Sequence, residues 1–180
     1  MHNNLGHIII DTDLLYDTPR ILSGYLVSAL FADVMDDTGG TLLSDVWVDA
    51  TLRRAVPSQQ IHLRGTTRTT AQFECALCLT PFQHEMVLEL DRCFMVGDDP
   101  ADDSSETQMT MDIVFLPNNR LELLPVIEEE LVLGLPMMPR CHDDCAGLCP
   151  GCGSNLNRDP CSCSSDREEH SMARLRYLLQ

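Results

Sequence analysis

The sequence has no lysine, and it has few basic residues of any kind. Its 12 basic side chains are all arginine, against 28 aspartates and glutamates, which gives a formal net charge of −16 over 180 residues. Such a charge repels phosphates, so it disfavours broad non-specific binding of nucleic acid and of anionic membrane surfaces. The acidic excess is concentrated in the middle of the chain, where residues 85–139 contain 13 carboxylates and two arginines.

Long apolar runs and a basic amino-terminal region are also missing. The longest uncharged apolar-rich run, residues 21–32, is too short to span a bilayer and is interrupted by serine and glycine. No basic side chain precedes Asp11 and Asp13, so the first residues do not have the pattern of a secretory signal peptide. We therefore expect a cytoplasmic protein without a membrane partner, whose thiols stay reduced.

Alternation of apolar and polar residues indicates a β-rich region from residue 46 onward. Residues 46–52 alternate strictly enough to predict a strand. Four more strands are predicted over the segments 60–64, 67–74, 82–96 and 109–116. Gly65 and Thr66 are expected to form the turn between the first two of these segments. The acidic segment 97–108 predicts a solvated loop.

Helices are predicted in two places. Proline suits the first turn of a helix, so Pro125 favours a helix near residues 124–135, in which Glu128–Glu130 form a solvated face. A capping pattern that begins at Ser165 predicts a short carboxy-terminal helix. The expected class is α+β: an antiparallel β-meander, as a sheet or partial barrel, with one or two helices and a cysteine-rich zinc-knuckle segment. The β-rich domain is expected to span residues 1–140, and the metal-binding tail residues 141–180.

The nine cysteines indicate metal rather than disulfides in a reducing compartment. Six of them follow the spacing C-x3-C-x3-C-x2-C-x8-C-x-C, and the central Cys-Pro-Gly-Cys-Gly is a zinc-knuckle pattern. Structural zinc takes four ligands in tetrahedral geometry. We therefore predict a structural zinc site that takes four ligands per ion from Cys141, Cys145, Cys149, Cys152, Cys161 and Cys163. The spacing leaves open which four bind and whether one or two ions are held. An iron–sulfur cluster also takes four thiolates but is less typical of this spacing.

Cys75 and Cys78 form a second C-x-x-C, for which three interpretations stay open. They are half of a zinc site that the carboxy-terminal cysteines complete, a pair of unliganded structural cysteines, or a redox pair. The redox pair is least favoured, because thioredoxin-like chemistry needs the first cysteine at a helix amino terminus, whereas a turn between strands is expected here. Cys93, alone in a predicted strand, is expected to be a small buried side chain, and His142 a surface residue beside the site.

Motifs of catalysis are absent from the sequence. It contains no Ser-His-Asp arrangement, P-loop, dinucleotide fingerprint or H-E-x-x-H pattern. We therefore expect a protein that is not an enzyme, and no small-molecule substrate is evident.

The order of these motifs is distinctive. A C-x-x-C-L turn at residues 75–79 is followed by an acidic gap and by the segment EELVLGLP at 129–136. The pattern C-x-GLCP-x-CG-x-NLN then spans residues 145–157, and a C-x-C pair follows it. This arrangement resembles the YceD family, the large ribosomal RNA subunit accumulation proteins of bacteria and plastids. The resemblance implies a non-enzymatic cytoplasmic protein needed for accumulation or processing of large-subunit ribosomal RNA.

The leading functional hypothesis is a ribosome-biogenesis factor that acts mainly through protein contacts. Its acidic surface would attract ribosomal proteins or assembly factors and reach large-subunit ribosomal RNA indirectly. Any direct RNA contact is expected on residues 140–180, where five arginines bring the net charge close to zero. The alternatives are a thiol oxidoreductase or redox sensor that uses Cys75 and Cys78, and a zinc-buffering protein.

Overall fold

The protein is described by a computed structural model in which the chain divides into two compact units. The described residues are 3–6, 8–15, 18–36, 39–56, 58, 60–97, 113–159 and 161–163. Unit 1 comprises Met1–Phe73 and Phe82–Met137, and unit 2 comprises Glu74–Pro81 and Met138–Gln180. The acidic loop predicted after Gly97 and the helix predicted after Ser165 lie outside the described residues.

The division differs from the expected boundary at residue 140 in two respects: the carboxy-terminal part of unit 2 begins at Met138, and a distant segment joins it. The segment Glu74–Pro81 belongs to unit 2 rather than to the β-rich region. Backbone hydrogen bonds explain the difference. The Ala76 amide donates to the Pro139 carbonyl at 2.8 Å, and the Leu148 amide donates to the Leu77 carbonyl at 3.0 Å. Spacing along the chain does not reveal contacts between segments so far apart in sequence.

Strands make up most of the regular structure. They are β1 (Asn3–Asn4), β2 (Ile9–Asp11), β3 (Arg20–Leu26), β4 (Thr41–Leu42), β5 (Val46–Arg54), β6 (Ile61–Glu74), β7 (Pro81–Val96), β8 (Ile113–Leu116) and β9 (Arg120–Glu122). The α-helices are α1 (Ala32–Asp36) and α2 (Leu123–Gly134), and short 3-10 helices cover Thr12–Leu14 and Ser28–Phe31. The predicted α+β class is confirmed. In the described part of the chain, no helix is long and apolar enough to cross a bilayer.

The sheet topology is mixed. Seven strands form one sheet in the order β1-β3-β5-β6-β7-β8, with β4 beside β6, and β2 pairs with β9 in a second sheet. The central strands β3, β5 and β6 pair antiparallel, as the predicted meander requires. The pairs β1–β3 and β7–β8 are parallel, whereas the predicted meander contains only antiparallel pairs. A parallel pair needs a long connection, and residues 97–112 supply one between β7 and β8.

Gly65 marks a close approach between strands rather than the predicted turn. β6 runs without interruption from Ile61 to Glu74, and Gly65 lies opposite Ala50 of β5. A Cβ atom added at Gly65 would lie 2.2 Å from the Asp49 carbonyl oxygen and 2.5 Å from the Ala50 Cα. Glycine in a strand often marks such an approach, and it has the same composition signal as a turn.

The core of unit 1 lies on the inner face of this sheet. Alternate residues of β5 are buried, and β6 contributes Ile61 and Leu63 beside them. Helix α2 buries Leu123, Ile127 and Leu131, which are spaced four residues apart on one side of the helix. On another side of α2, Glu129 and Glu130 form ion pairs with Arg92 of β7. The sequence predicted a solvated face for this glutamate run. The two ion pairs show that the face is only partly solvated.

The close approach at Gly65 leads to a prediction about the free energy of unfolding. Gly65→Ala should lower the free energy of unfolding by about 1–3 kcal/mol, because the new methyl group would overlap rigid backbone atoms of β5. Chemical denaturation followed by circular dichroism measures the change. Thr66→Ala, on the next residue of the same strand, is the matched control and should change stability far less. Equal stability of Gly65→Ala and the wild type would contradict the proposed strand contact.

Candidate metal centres

Eight of the nine cysteines form two groups of four within unit 2. Site 1 is defined as Cys75, Cys78, Cys141 and Cys145, and site 2 as Cys149, Cys152, Cys161 and Cys163. Within each group, all four sulfur atoms lie within 4.8 Å of one another. The ninth cysteine, Cys93, lies on β7 and belongs to neither group.

The sulfur spacing fits tetrahedral coordination of a single ion. A zinc–sulfur bond of about 2.3 Å places the sulfurs of a tetrahedral site about 3.8 Å apart. In site 1 the Cys75 and Cys145 sulfurs are 3.8 Å apart, and those of Cys78 and Cys141 are 3.7 Å apart. A disulfide would need sulfurs at about 2.05 Å, and all nine cysteines are free. The donor set therefore fits a thiolate-bound metal ion.

Each site is built on one C-x-x-C turn, and the two turns have the same backbone. In site 1 the Leu79 amide donates to the Cys75 carbonyl at 2.9 Å, and in site 2 the Gly153 amide donates to the Cys149 carbonyl at 2.8 Å. The residue after the second cysteine is left-handed in both turns, with φ of 57° at Leu79 and 74° at Gly153. Leucine rarely adopts this conformation, so the turn at site 1 is maintained against the preference of its own residue.

Nearby donors favour the thiolate form of the C-x-x-C cysteines in site 1. Burial raises the pKa of Cys75, but the backbone amides of Cys141, Cys78 and Leu77 outweigh it and lower the pKa to about 6. The hydroxyl and the amide of Thr80 lower the pKa of Cys78. The pKa of Cys141 shifts in the opposite direction. Burial is the main cause, and together with the neighbouring cysteines it raises this pKa to about 12.

In site 2, as in site 1, the pKa values of the two C-x-x-C cysteines are lowered and those of other cysteines are raised. The hydroxyl and the amide of Ser154 lower the pKa of Cys152 to about 6, and the amide of Cys152 is the main cause of a lowered pKa at Cys149. Cys149 raises the pKa of Cys161, and Cys152 raises the pKa of Cys163 to about 12. The protein's own donors thus stabilise the two thiolates of each turn, whereas burial and hydrogen bonds with neighbouring cysteines keep the protons on Cys141, Cys161 and Cys163. A bound divalent cation would stabilise all four thiolates, because metal ligation requires the deprotonated cysteines.

Two asparagines support site 1, although no ligand pattern in the sequence pointed to them. The Asn157 side chain donates to the Cys145 sulfur at 3.3 Å, and its carbonyl oxygen accepts from the Ala146 amide at 2.8 Å. The Asn155 side chain donates to the Thr80 hydroxyl at 3.1 Å, next to Cys78. The NLN segment of the sequence motif was the available signal for these contacts.

The two sites differ in burial. Cys75 and Cys78 of site 1 expose 0% and 5% of their surface. Cys152 and Cys163 of site 2 are exposed, although Cys149 is buried. Water and solutes therefore reach the sulfurs of site 2 more easily than those of the site 1 turn.

The two four-cysteine groups divide the predicted ligands in a way that the spacing along the chain does not show. The prediction drew four ligands per ion from the six cysteines between residues 141 and 163. Four of those six form site 2, while Cys141 and Cys145 join Cys75 and Cys78, which corresponds to the half-site interpretation of the second C-x-x-C. His142 is exposed, with its Nδ1 atom 3.1 Å from the Cys141 sulfur.

The comparisons with known proteins place the chain among uncharacterized relatives. It is 31% identical over 113 residues to an uncharacterized protein of Mycobacterium tuberculosis, which covers 63% of this chain and 53% of the relative. A protein of Mycobacterium leprae, also uncharacterized, is 26% identical over 113 residues, covering 63% of this chain and 51% of the relative. The chain thus spans about half the length of these curated relatives. No solved structure matches it.

A family model decides the assignment. The model described as large ribosomal RNA subunit accumulation protein YceD matches residues 63–179. This match covers most of the chain and includes all eight cysteines of sites 1 and 2. The protein therefore belongs to the YceD family of large ribosomal RNA subunit accumulation proteins.

Proposed function

We propose that this chain is a non-enzymatic, cytoplasmic ribosome-biogenesis factor that supports accumulation or processing of large-subunit ribosomal RNA. In this proposal, one structural zinc ion in each site holds unit 2 in its folded form. The observation that supports it best is the grouping of eight cysteines into two four-sulfur sets within the family-matched region. Family membership supplies the link to ribosomal RNA.

The donor set supports zinc in a structural role. Four thiolates fill a tetrahedral zinc site, whereas catalytic zinc keeps one position for water or substrate. The sulfur separations of 3.7 and 3.8 Å in site 1 suit one ion at the centre, while a multi-atom iron–sulfur cluster would hold its cysteines farther apart. The Cys75 turn joins strands β6 and β7 and does not begin a helix, which argues against the thioredoxin-like alternative.

The net negative charge of the chain supports the proposal that its partners are proteins. The chain carries a net charge of −16, and such a field steers basic ribosomal proteins or assembly factors toward it while repelling bare RNA over most of its surface. We therefore propose that contacts with basic proteins provide most of the association with large-subunit precursors.

A cellular experiment tests the proposed function. Deletion of the gene should lower the ratio of large-subunit to small-subunit ribosomal RNA, and the wild-type gene should restore it. Because Cys78 and Cys152 lie one in each site, Cys78→Ser and Cys152→Ser should each restore it poorly. Cys93→Ser, outside both sites, is the matched control and should restore it fully. An unchanged ribosomal RNA ratio in the deletion strain would refute the proposed function.

Metal stoichiometry is a separate prediction. Native mass spectrometry of the purified chain should show two zinc ions per molecule, one for each four-sulfur group. Cys78→Ser and Cys152→Ser should each lose one ion, because three remaining sulfurs hold zinc far less tightly than four. Cys93→Ser should keep both. A folded, metal-free wild-type protein would contradict the zinc proposal.

The difference in burial predicts an order of metal loss. Under a mild chelator, site 2 should lose its ion about tenfold faster than site 1, because Cys152 and Cys163 are exposed while Cys75 and Cys78 are buried and Asn157 supports Cys145. A time course by native mass spectrometry should show a one-zinc intermediate. In Cys152→Ser the fast step should disappear, whereas Cys78→Ser should lack the slow one. Simultaneous loss of both ions would contradict the assignment.

A further inference from the structure

The outer face of the central sheet contains a depression lined by cations. Its volume is about 480 Å³, within the range of about 300–1,000 Å³ that is usual for ligand sites. The lining residues are Thr51, Arg53, Ala55, Val56, His62 and Arg64, all in unit 1. No carboxylate is among them, although acids outnumber arginines in the chain as a whole.

Strand register fixes the cations at this place. Arg53 of β5 lies opposite His62 of β6, and Thr51 lies opposite Arg64, so these four side chains share the face away from the core. Directly paired residues such as Leu52 and Leu63 are buried on the other face. The floor of the depression is thus two adjacent cross-strand pairs on rigid strands rather than a loop.

The positive charge of the depression is only partly compensated. Arg64 donates from its Nε atom to Asp91 at 3.0 Å, and both side chains are about two-thirds exposed. This contact uses only the Nε atom, so the two terminal nitrogens of the Arg64 guanidinium can donate to a ligand. Arg53 forms no ion pair with any carboxylate of the described ranges. Arg53 and Arg64, with His62 opposite Arg53 on β6, provide the donors that a phosphate needs.

The rim of the depression is apolar. Val56 is 76% exposed at one side. On β3, Ile21 is the cross-strand partner of Thr51 and is 73% exposed. A ligand that combines a phosphate with a flat, less polar group would contact both the cations and the rim. Nucleotides of a single strand have this composition, and open sheet faces are a common platform for them.

We propose that this depression binds the phosphate backbone of a single-stranded RNA segment, with Arg53 and Arg64 as its phosphate contacts. The inference rests on the proposed function for the identity of the nucleic acid. It also relocates direct RNA contact, which the sequence analysis expected on residues 140–180, to the outer face of β5 and β6. Repulsion by the rest of the acidic surface would confine RNA to this locally positive region.

Fluorescence anisotropy with a labelled single-stranded oligouridylate and the zinc-loaded full chain tests the proposal. Arg53→Gln combined with Arg64→Gln should weaken binding about tenfold. It should also reduce the slope of log affinity against log salt by about 0.7 for each lost phosphate contact. Arg20→Gln combined with Arg120→Gln is the matched control, because both arginines are exposed, lie outside the depression and change the charge equally. The control should bind within about twofold of the wild type, and zinc content should be the same in all three proteins.

Four outcomes would overturn the proposal: no binding by the wild type, equal weakening in the control, competition by uridine monophosphate as strong as by the oligomer, or binding of polyglutamate in place of RNA. None of these outcomes decides the proposed function. The ribosomal RNA ratio in the deletion strain tests that function independently of any RNA contact by the chain itself.

Discussion

The cost of ionising four clustered cysteines is the constraint on which unit 2 depends. Four sulfurs lie within 4.8 Å in each site, and the protein's own amides and hydroxyls stabilise the two thiolates of each C-x-x-C turn. Cys141 and Cys163, with pKa values raised to about 12, would stay protonated without a cation. A bound divalent ion would allow all four cysteines of a site to ionise, and its binding free energy would then become folding free energy for the segments that supply them.

This constraint also explains why two distant segments form one unit. Residues 74–81 and 138–163 are separated by nearly all of β7 and by β8, β9 and α2, and closing so long a loop costs conformational entropy. Among the described residues of unit 2, the buried apolar side chains are those of Cys75, Cys78 and Cys149. Hydrogen bonds such as Leu148 to Leu77 and Asn155 to Thr80 join the segments, but each contributes only about 1 kcal/mol. We therefore infer that shared metal ligands provide the larger part of the stabilisation.

Local patterns in the sequence predicted the elements, and non-local pairing is what they missed. Alternation found β5 and β7 within two residues of their ends, and Pro125 located α2. The sequence predicts a turn at Gly65 because the reason for this glycine lies on another strand, where the Asp49 backbone leaves no room for a Cβ atom. Glu130 was expected in solvent because its partner, Arg92, is distant in sequence. The grouping of Cys141 and Cys145 with Cys75 and Cys78 stayed one of several open interpretations for the same reason.

One signal in the sequence does indicate the number of sites. Both turns read C-x-x-C-x-[TS], and in each the hydroxyl, from Thr80 or Ser154, lowers the pKa of the second cysteine. Two such turns imply two ions rather than one. Two tetrahedral sites need eight thiolates, and the nine cysteines supply eight once Cys93 is set aside as part of a strand. Sulfur count and hydroxyl position together therefore predict two sites, whereas the C-x-x-C spacing alone predicts only half of each.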